Sequence, residues 1–294
     1  MKGEIVRTVT LDGLRLDGIL YEPTVHWKGD SVAVLHVHGM GGNFYENKFT
    51  DSISKAITAS GAYFCSVNTR GAGFITDFEL VGKREKFKRI GQVYEKLTEA
   101  HIDVAAWVDF LISQGIKKVV LQGHSLGCVK VMLYYVGLKD KSTIKKIILL
   151  SPPDIIGLVE KQSELATHKA HHKEAKKFIK ANKPKEILTT PVWAWYKISA
   201  ESYIDFFDNY KSLNVFPVYH EGKLDQLSRV NIPLLITFGQ YDDIGINSII
   251  ADAKIYRSAL TREDSQVVII PGADHIYQKG SDVLADEIGK FLKL

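Results

Sequence analysis

Residues 119–127 read Val-Val-Leu-Gln-Gly-His-Ser-Leu-Gly, an apolar run that leads into the pattern G-x-S-x-G. Apolar residues spaced three or four apart over 126–136 predict a helix directly after it. The stretch therefore predicts a strand, a sharp turn at Ser125 and a helix. Gly123 and Gly127 are small enough to let strand and helix approach each other, which would leave the serine hydroxyl exposed at the end of the strand. A plain glycine-containing turn between strand and helix is the alternative interpretation.

Strand-like runs recur on both sides of this stretch. An alternating apolar–polar pattern around Asp12-Gly13 predicts a β-hairpin over 5–21. Near-continuous apolar runs, typical of strands buried on both faces of a parallel sheet, lie at 32–37, 62–67, 147–150, 234–238 and 267–270. Helical patterns alternate with them at 47–59, 100–113, 247–260 and 282–292. This alternation predicts an α/β fold with a mostly parallel eight-stranded sheet and helices on both faces.

One segment breaks the alternation. About 80 residues separate the sixth predicted strand from the seventh, which is too long for a connecting loop. The segment contains a Lys-rich helical pattern at 168–180 and an aromatic-rich stretch at 193–210. We therefore predict a helical cap, residues 153–228, inserted after the sixth strand into a core of residues 1–152 and 229–294.

A glycine-rich turn follows the third predicted strand, with the sequence His-Gly-Met-Gly-Gly at 38–42. Backbone N–H groups of such a turn can point at an oxygen that develops negative charge. If Ser125 attacks an acyl carbon, the N–H groups of Met40 and Leu126 are the predicted donors to that oxygen. The turn lacks the spacing of phosphate-binding loops, so the sequence does not favour phosphate binding.

A serine at its ordinary pKa needs a base and an orienting acid to act as a nucleophile. Asp242 follows the seventh predicted strand and is the predicted acid, with Asp243 as the alternative. His275 follows the last predicted strand and is the predicted base. Their order along the chain, serine then aspartate then histidine, fits a three-residue catalytic arrangement.

Together these motifs resemble those of the α/β-hydrolase superfamily. The matching turns are H-G-x-G-G at 38–42, R-G-x-G at 70–73, G-x-S-x-G at 123–127, G-x-x-D at 239–242 and G-x-x-H at 272–275. The resemblance covers nearly the whole chain outside the predicted cap. Within the superfamily, the chain is similar to feruloyl and cinnamoyl esterases, monoacylglycerol lipases and serine-aminopeptidase-like hydrolases. The resemblance implies an α/β-hydrolase fold and cleavage of carboxylic esters through an acyl-enzyme on Ser125. The cap sequence matches none of these groups, so it implies no particular substrate.

Two alternatives within the same chemistry stay open, and so does one outside it. A thioesterase or amidase, or an acyltransferase, would use the same three residues. A ligand-binding protein could keep the fold without turnover. Trp193, Trp195 and Tyr196 are the predicted lining of an acyl or aryl pocket, although packing of the cap against the core explains the same aromatic residues equally well.

The remaining charged features predict no cofactor. His168, His171 and His172 stand among lysines, whose charge disfavours a metal ion, so we predict a solvated basic helix and no metal site. The charge run at 83–89 predicts a solvated loop or helix face.

Composition limits the location and the partners. The formal net charge of +4 in 294 residues is too small to favour nucleic acid, and no run approaches the roughly 18 apolar residues of a membrane span. Cys65 and Cys128 lie in apolar runs, as free thiols of a reducing compartment do. We therefore predict a cytoplasmic enzyme that acts on a small-molecule acyl substrate; the sequence gives no oligomeric state.

Overall fold

The computed structural model describes residues 2–25, 29–161, 163–209, 213–220 and 224–293. Its strands are β1 (Gly3–Val9), β2 (Arg15–Tyr21), β3 (Val32–Val37), β4 (Tyr63–Val67), β5 (Asp77–Glu79), β6 (Phe87–Arg89), β7 (Lys118–His124), β8 (Ile144–Leu150), β9 (Leu234–Gly239) and β10 (Gln266–Ile270). Eight of them form one sheet in the order β1-β2-β4-β3-β7-β8-β9-β10. The pairs β1–β2 and β2–β4 are antiparallel and the other pairs are parallel. The predicted eight-stranded, mostly parallel sheet with a hairpin at its edge is confirmed.

Helices cover both faces of this sheet. In chain order the helices are α1 (Phe49–Ala59), α2 (Ala100–Ser113), α3 (Leu126–Gly137), α4 (Gly157–Glu160), α5 (Leu165–Lys180), α6 (Ala200–Asp208), α7 (Asp225–Ser228), α8 (Ile249–Ser258) and α9 (Ser281–Leu292). Those that pack on the sheet are α1, α2, α3, α8 and α9. All six residues of β3 are buried, because successive side chains point to opposite faces and both faces are covered. Val34 joins the core under α1 and α9, whereas Leu35 joins the core under α2, α3 and α8.

A small two-stranded ribbon was not predicted. β5 and β6 pair antiparallel, and Arg89 forms an ion pair with Asp77 at 2.8 Å across them. The charge run at 83–89 is exposed, as its composition predicts. The interpretation as loop or helix is nevertheless wrong for residues 87–89, which form a strand because a pairing segment lies ten residues upstream.

Residues 151–233, here called the β8–β9 segment, contain α4 to α7. The lysines of α5 are exposed, but the prediction of a wholly solvated helix is wrong for His171, which is 2% exposed and hydrogen-bonds Thr190 at 2.7 Å. The imidazole of His168 contacts the Tyr203 hydroxyl at 2.5 Å. Tyr210, in the predicted aromatic stretch, lies outside the described residues. The division into core and cap stays a prediction.

Across the described ranges, every helix is too short or too polar to cross a bilayer.

Candidate active site

Ser125 occupies a strained turn between β7 and α3. Its φ of 53° and ψ of −124° lie in a region that non-glycine residues rarely adopt, and such strain is concentrated at functional sites. The residue is half-buried at the carboxyl edge of the sheet. Leu126 is the first residue of α3, so its N–H has no acceptor within the helix and lies at the positive end of the helix dipole.

The two glycines of this turn are sterically required. A Cβ atom on Gly123 would lie 2.4 Å from the Cys128 nitrogen, and one on Gly127 would lie 2.2 Å from the Val37 oxygen. Both distances are far inside van der Waals contact with backbone atoms. Strand β7 and helix α3 can therefore meet at Ser125 only because these positions carry no side chain.

The glycine-rich turn after β3 lies against Ser125. A Cβ atom on Gly39 would lie 3.0 Å from the Ser125 Cβ and 3.5 Å from its Oγ. Nowhere in the described ranges does a backbone or side-chain atom accept a hydrogen bond from the Met40 amide. The predicted oxyanion donors, Met40 and Leu126, thus belong to two backbone segments that meet at the serine.

Asp242 and His275 are brought together by the loops after β9 and β10. The His275 Nδ1 lies 3.0 Å from the Asp242 Oδ1, which is the geometry of a ring N–H donating to a carboxylate. The Asp242 side chain is fully buried, whereas Asp243 is exposed. The structure therefore places Asp242, rather than Asp243, in the hydrogen bond with the predicted base.

The surroundings of Asp242 favour its ionised form. Burial by itself raises the pKa of the carboxyl group. The hydrogen bond and charge of His275, the nearby Ser151 hydroxyl and the Ile244 N–H lower it by more. The pKa of Asp242 is therefore below its ordinary value. An ionised Asp242 holds the proton of His275 on Nδ1. The Nε2 of His275 is then left as an acceptor.

His124 is a residue of the site that the sequence did not identify. Its Nε2 donates to the backbone oxygen of His275 at 2.8 Å, and the two rings lie 5.0 Å apart. Burial, together with the neighbouring charge of His275, lowers the pKa of His124 to about 3, so the ring is neutral at physiological pH. The only signal available was its place inside G-x-S-x-G, where any residue is allowed.

No hydrogen bond joins the Ser125 hydroxyl to the His275 ring in the part of the chain that the structure describes. Contacts of this kind are often long before substrate binds and shorten in the complex. The structure thus connects the predicted base directly to Asp242, and to the serine turn through His124.

A buried hydroxyl network lies beside Asp242 and was also missed. The Tyr277 hydroxyl lies 2.9 Å from the Ser151 Oγ and 2.8 Å from the Thr237 Oγ1. Ser151 and Tyr277 both have positive φ angles, 53° and 51°. The network ties the ends of β8 and β9 to the loop that carries the predicted base.

The three predicted pocket residues differ in placement. Tyr196 lies beside the glycine-rich turn, because a Cβ atom on Gly41 would lie 3.9 Å from its Cε1. Trp193 packs edge-to-face on Tyr196 with a centroid distance of 6.2 Å, and both are partly buried. Trp195 is 79% exposed, so its prediction as pocket lining is not supported.

Three side chains at the acidic end of this site are of types that can bind a metal ion. Single ligand atoms of Asp242, Asp243 and His275 lie within 4.8 Å of one another. The hydrogen bond between Asp242 and His275 already uses two of these atoms, and an exposed carboxylate such as Asp243 is not a metal site by itself. His171 and His172 on α5 bind Thr190 and Asp208 separately.

This fold and the strained serine turn are those of α/β-hydrolase-fold serine hydrolases. The chain belongs to the serine aminopeptidase (S33) family, whose profile matches residues 30–279. The protein is therefore a serine hydrolase. No curated protein matches the sequence.

Among the solved structures of similar fold are three esterases. Est1E from Butyrivibrio proteoclasticus is 17% identical with a TM-score of 0.65, and the match covers 98% of this chain and 97% of that one. The esterase domain of a Rhodothermus marinus protein is 18% identical, with a TM-score of 0.59 and coverage of 100% and 98%. The Pyrococcus furiosus esterase Pf2001 is 16% identical, with a TM-score of 0.58 and coverage of 99% and 90%. At these identities the likeness shows the fold.

Proposed function

We propose that this serine hydrolase cleaves carboxylic esters of small or medium acyl or aryl groups, through an acyl-enzyme on Ser125. The observation that carries the proposal is the partly buried Asp242–His275 hydrogen bond beside a strained serine turn. Ser125 and two unengaged backbone N–H groups, on Met40 and Leu126, lie at the same edge of the sheet. These parts together supply a nucleophile, a base, an orienting acid and oxyanion donors.

The proposed reaction has two halves. In the first, Ser125 Oγ attacks the acyl carbon while His275 Nε2 takes its proton, and the Met40 and Leu126 N–H groups hold the oxyanion. The protonated His275 then gives the proton to the leaving alcohol. In the second, His275 takes a proton from water as that water attacks the acyl-enzyme, and then returns the proton to Ser125 Oγ as the acid leaves. Asp242 keeps the imidazole tautomer fixed and stabilises its charged form throughout.

An aryl or medium acyl group is favoured by the aromatic residues beside the glycine-rich turn. Tyr196 and Trp193 are partly buried there and present apolar surface next to the proposed oxyanion donors. Among the structures of similar fold, Est1E has been seen with ferulic acid bound. Aromatic esters are therefore part of the substrate panel below.

Amide cleavage is a second candidate, and Asp243 favours it. This exposed carboxylate lies beside His275, where it can attract the ammonium group of an amino-terminal residue. The description of the family, serine aminopeptidase, names the same chemistry. A peptide-like substrate with a free amino group would then be cleaved by the same serine.

The test is hydrolysis of p-nitrophenyl esters from acetate to palmitate, of methyl ferulate, and of aminoacyl p-nitroanilides. We expect ester turnover in the wild type and a loss of about 10⁴- to 10⁶-fold in kcat in Ser125→Ala. Ser113→Ala, at an exposed serine of α2, is the matched control and should keep full activity. Faster cleavage of anilides than of esters would instead support the aminopeptidase function.

A fluorophosphonate probe gives an independent readout of the serine. We expect labelling of the wild type and of Ser113→Ala, and none of Ser125→Ala. A folded wild type that neither turns over any ester or amide nor takes the label would contradict the proposal. It would favour a ligand-binding role.

We also propose a cytoplasmic location. Both cysteines, Cys65 and Cys128, are free and buried, and unpaired thiols are typical of proteins from reducing compartments. Cell fractionation of the native protein tests this, and recovery only from the extracellular fraction would contradict it.

A further inference from the structure

Four fully buried polar residues, one in the glycine-rich turn and three behind it, have no part in the proposed mechanism. They are His38, Thr69, Glu95 and Lys130, each 0% exposed. Lys130 is the most unusual, since it lies on α3 only five positions after Ser125. Burying an ammonium group is costly unless it is paired and hydrogen-bonded, so its presence here calls for a role.

The cation is held by one carboxylate and one hydroxyl. The Lys130 Nζ lies 2.6 Å from the Glu95 Oε1 and donates to the Thr69 Oγ1 at 3.0 Å. Glu95 can come this close because residue 71 is glycine: a Cβ atom there would lie 2.1 Å from the Glu95 Oε2. The pair is therefore built into the fold on both sides.

From Thr69 the hydrogen bonds continue to the imidazole of His38. The Thr69 backbone N–H donates to the His38 Nε2 at 3.1 Å, and its hydroxyl, which already accepts from Lys130, lies 3.2 Å from the same nitrogen. Since Nε2 accepts, the ring proton is on Nδ1. That nitrogen lies 2.7 Å from the Gly39 oxygen and donates to it. Every donor in this chain points from the ammonium toward the Gly39 carbonyl.

The Gly39 carbonyl belongs to the same peptide unit as the Met40 N–H. A trans peptide is planar, and its C=O and N–H point in opposite directions. Fixing the carbonyl on the His38 side therefore fixes the direction of the Met40 N–H on the other side. A chain of hydrogen bonds polarises its members, so donation into this carbonyl also strengthens the Met40 N–H as a donor.

We propose that Lys130 is a positioning residue, which through Thr69 and His38 orients and polarises the Met40 N–H for the oxyanion. The inference rests on the proposed function, since it assigns Met40 the oxyanion role. Lys130 never touches the substrate. A purely structural ion pair would affect folding stability but would leave the strength of the Met40 donor unchanged.

Thr69→Val is the main test variant. It removes the hydroxyl link between Lys130 and His38 and leaves the Lys130–Glu95 pair intact, so no charge is left unpaired. We expect kcat for p-nitrophenyl acetate to fall roughly tenfold with KM within about twofold, because complete loss of an oxyanion donor costs about 10²–10³ in kcat. The affinity for a trifluoromethyl ketone, which mimics the tetrahedral intermediate, should fall by the same factor as kcat. Thr69→Ser keeps the hydroxyl and should restore both values.

The double variant Lys130→Met/Glu95→Gln removes the charge pair together and should reproduce the Thr69→Val effect. Lys146→Met is the matched control. This partly buried lysine donates to the Phe291 oxygen, far along β8 from the site, and its loss should leave kcat and ketone affinity unchanged. If the folded Thr69→Val and double variants keep wild-type kcat and ketone affinity, the proposal is overturned.

Nuclear magnetic resonance separates this proposal from the proposed function. The Met40 amide proton should shift upfield in Thr69→Val and in the double variant, but not in Lys146→Met, whether or not the wild type cleaves esters. An unmoved Met40 resonance would overturn the role of Lys130 by itself. An inactive wild type with the expected shift would contradict the ester-hydrolase proposal and leave the coupling established.

Discussion

The carboxyl edge of the sheet and the β8–β9 segment hold their chemistry-bearing side chains in different ways. At the edge, Asp242 is fully buried and His124 is 3% exposed, and each is fixed by hydrogen bonds to a neighbouring loop. In the β8–β9 segment, Trp195 is 79% exposed and His172 pairs with Asp208 near the surface. The edge residues are held in fixed positions by hydrogen bonds, whereas these side chains of the segment lie at the surface, above buried ones such as Tyr203 and Phe206. Changes at the edge should therefore alter the rate of chemistry, and changes in the segment should alter binding.

The largest difference in catalytic effect is expected within the edge itself, between substitutions of two adjacent carboxylates. Asp242→Asn should lower kcat/KM for p-nitrophenyl acetate by about 10³- to 10⁴-fold, because an amide cannot hold the proton of His275 on Nδ1. Asp243→Asn, one residue away but exposed, should change kcat/KM for the same neutral ester by less than about threefold. A larger loss in Asp243→Asn than in Asp242→Asn would make Asp243 the orienting acid.

The edge also differs in its response to acid. It contains buried histidines that stay neutral in the folded protein. Burial lowers the pKa of His36 to about 4 and of His124 to about 3, and it lowers the pKa of His38 as well. Above pH 6.5 these rings are neutral in both the folded and the unfolded chain. As the pH falls from 6.5 toward 4, the unfolded chain takes up protons that the folded chain does not. The contribution of these neutral histidines to the free energy of unfolding is therefore fully present above pH 6.5. It is lost as the pH falls toward their pKa values in the folded protein.

Each such histidine contributes a slope of up to about 1.4 kcal/mol per pH unit to the free energy of unfolding. His36→Phe, which keeps an aromatic ring against Phe49 and Phe64, should reduce the slope between pH 6 and 4.5 by about that amount. Urea unfolding at a series of pH values measures it. The difference between the two proteins at pH 7.5 reports packing together with the loss of the buried 2.9 Å hydrogen bond between His36 Nδ1 and Gln122 Oε1. An unchanged slope in His36→Phe would show that this ring is protonated in the folded protein.

The smallest effects are expected in the β8–β9 segment. Trp193→Ala should raise KM for aryl esters by roughly tenfold with little change in kcat, since it removes partly buried apolar surface worth about 1–2 kcal/mol. Trp195→Ala should stay within about twofold of wild type in both constants, because its ring is mostly in solvent. Steady-state kinetics on methyl ferulate compares them. Equal effects from the two tryptophans would remove the distinction drawn between them.

Each candidate residue at the edge can be located from the sequence because a local pattern marks its position, while its catalytic role stays a prediction. The strand–turn–helix pattern around Ser125 needs only nine consecutive residues, and the glycines that permit the turn are inside it. Likewise α2, predicted over 100–113, begins and ends where its apolar periodicity does. Asp242 and His275 follow strands that the apolar runs reveal, so their meeting at one sheet edge follows from parallel pairing.

The parts that were missed depend on distant contacts. Lys130 looks like a surface residue until the structure brings Glu95 to it from 35 positions earlier. His171 sits among exposed lysines, and its burial comes from packing on Tyr203 of α6 and from its hydrogen bond with Thr190. The strand β6 forms because β5 is available to pair with it. No local pattern of charge or hydropathy records such partners.

Strands β8 and β9 are parallel neighbours in the sheet, with Ile147 paired to Leu234, so the segment of residues 151–233 is simply the crossover of one βαβ unit. Such a crossover needs a minimum of about a dozen residues, but loop-closure entropy rises by only about 0.6 kcal/mol for each doubling of length. Extending the minimal connection to this length therefore costs the sheet about 2 kcal/mol in closure entropy. Evolution can lengthen, shorten or exchange this crossover at small cost, so descendants of one ancestral sheet can acquire new specificities while their reacting groups stay in place.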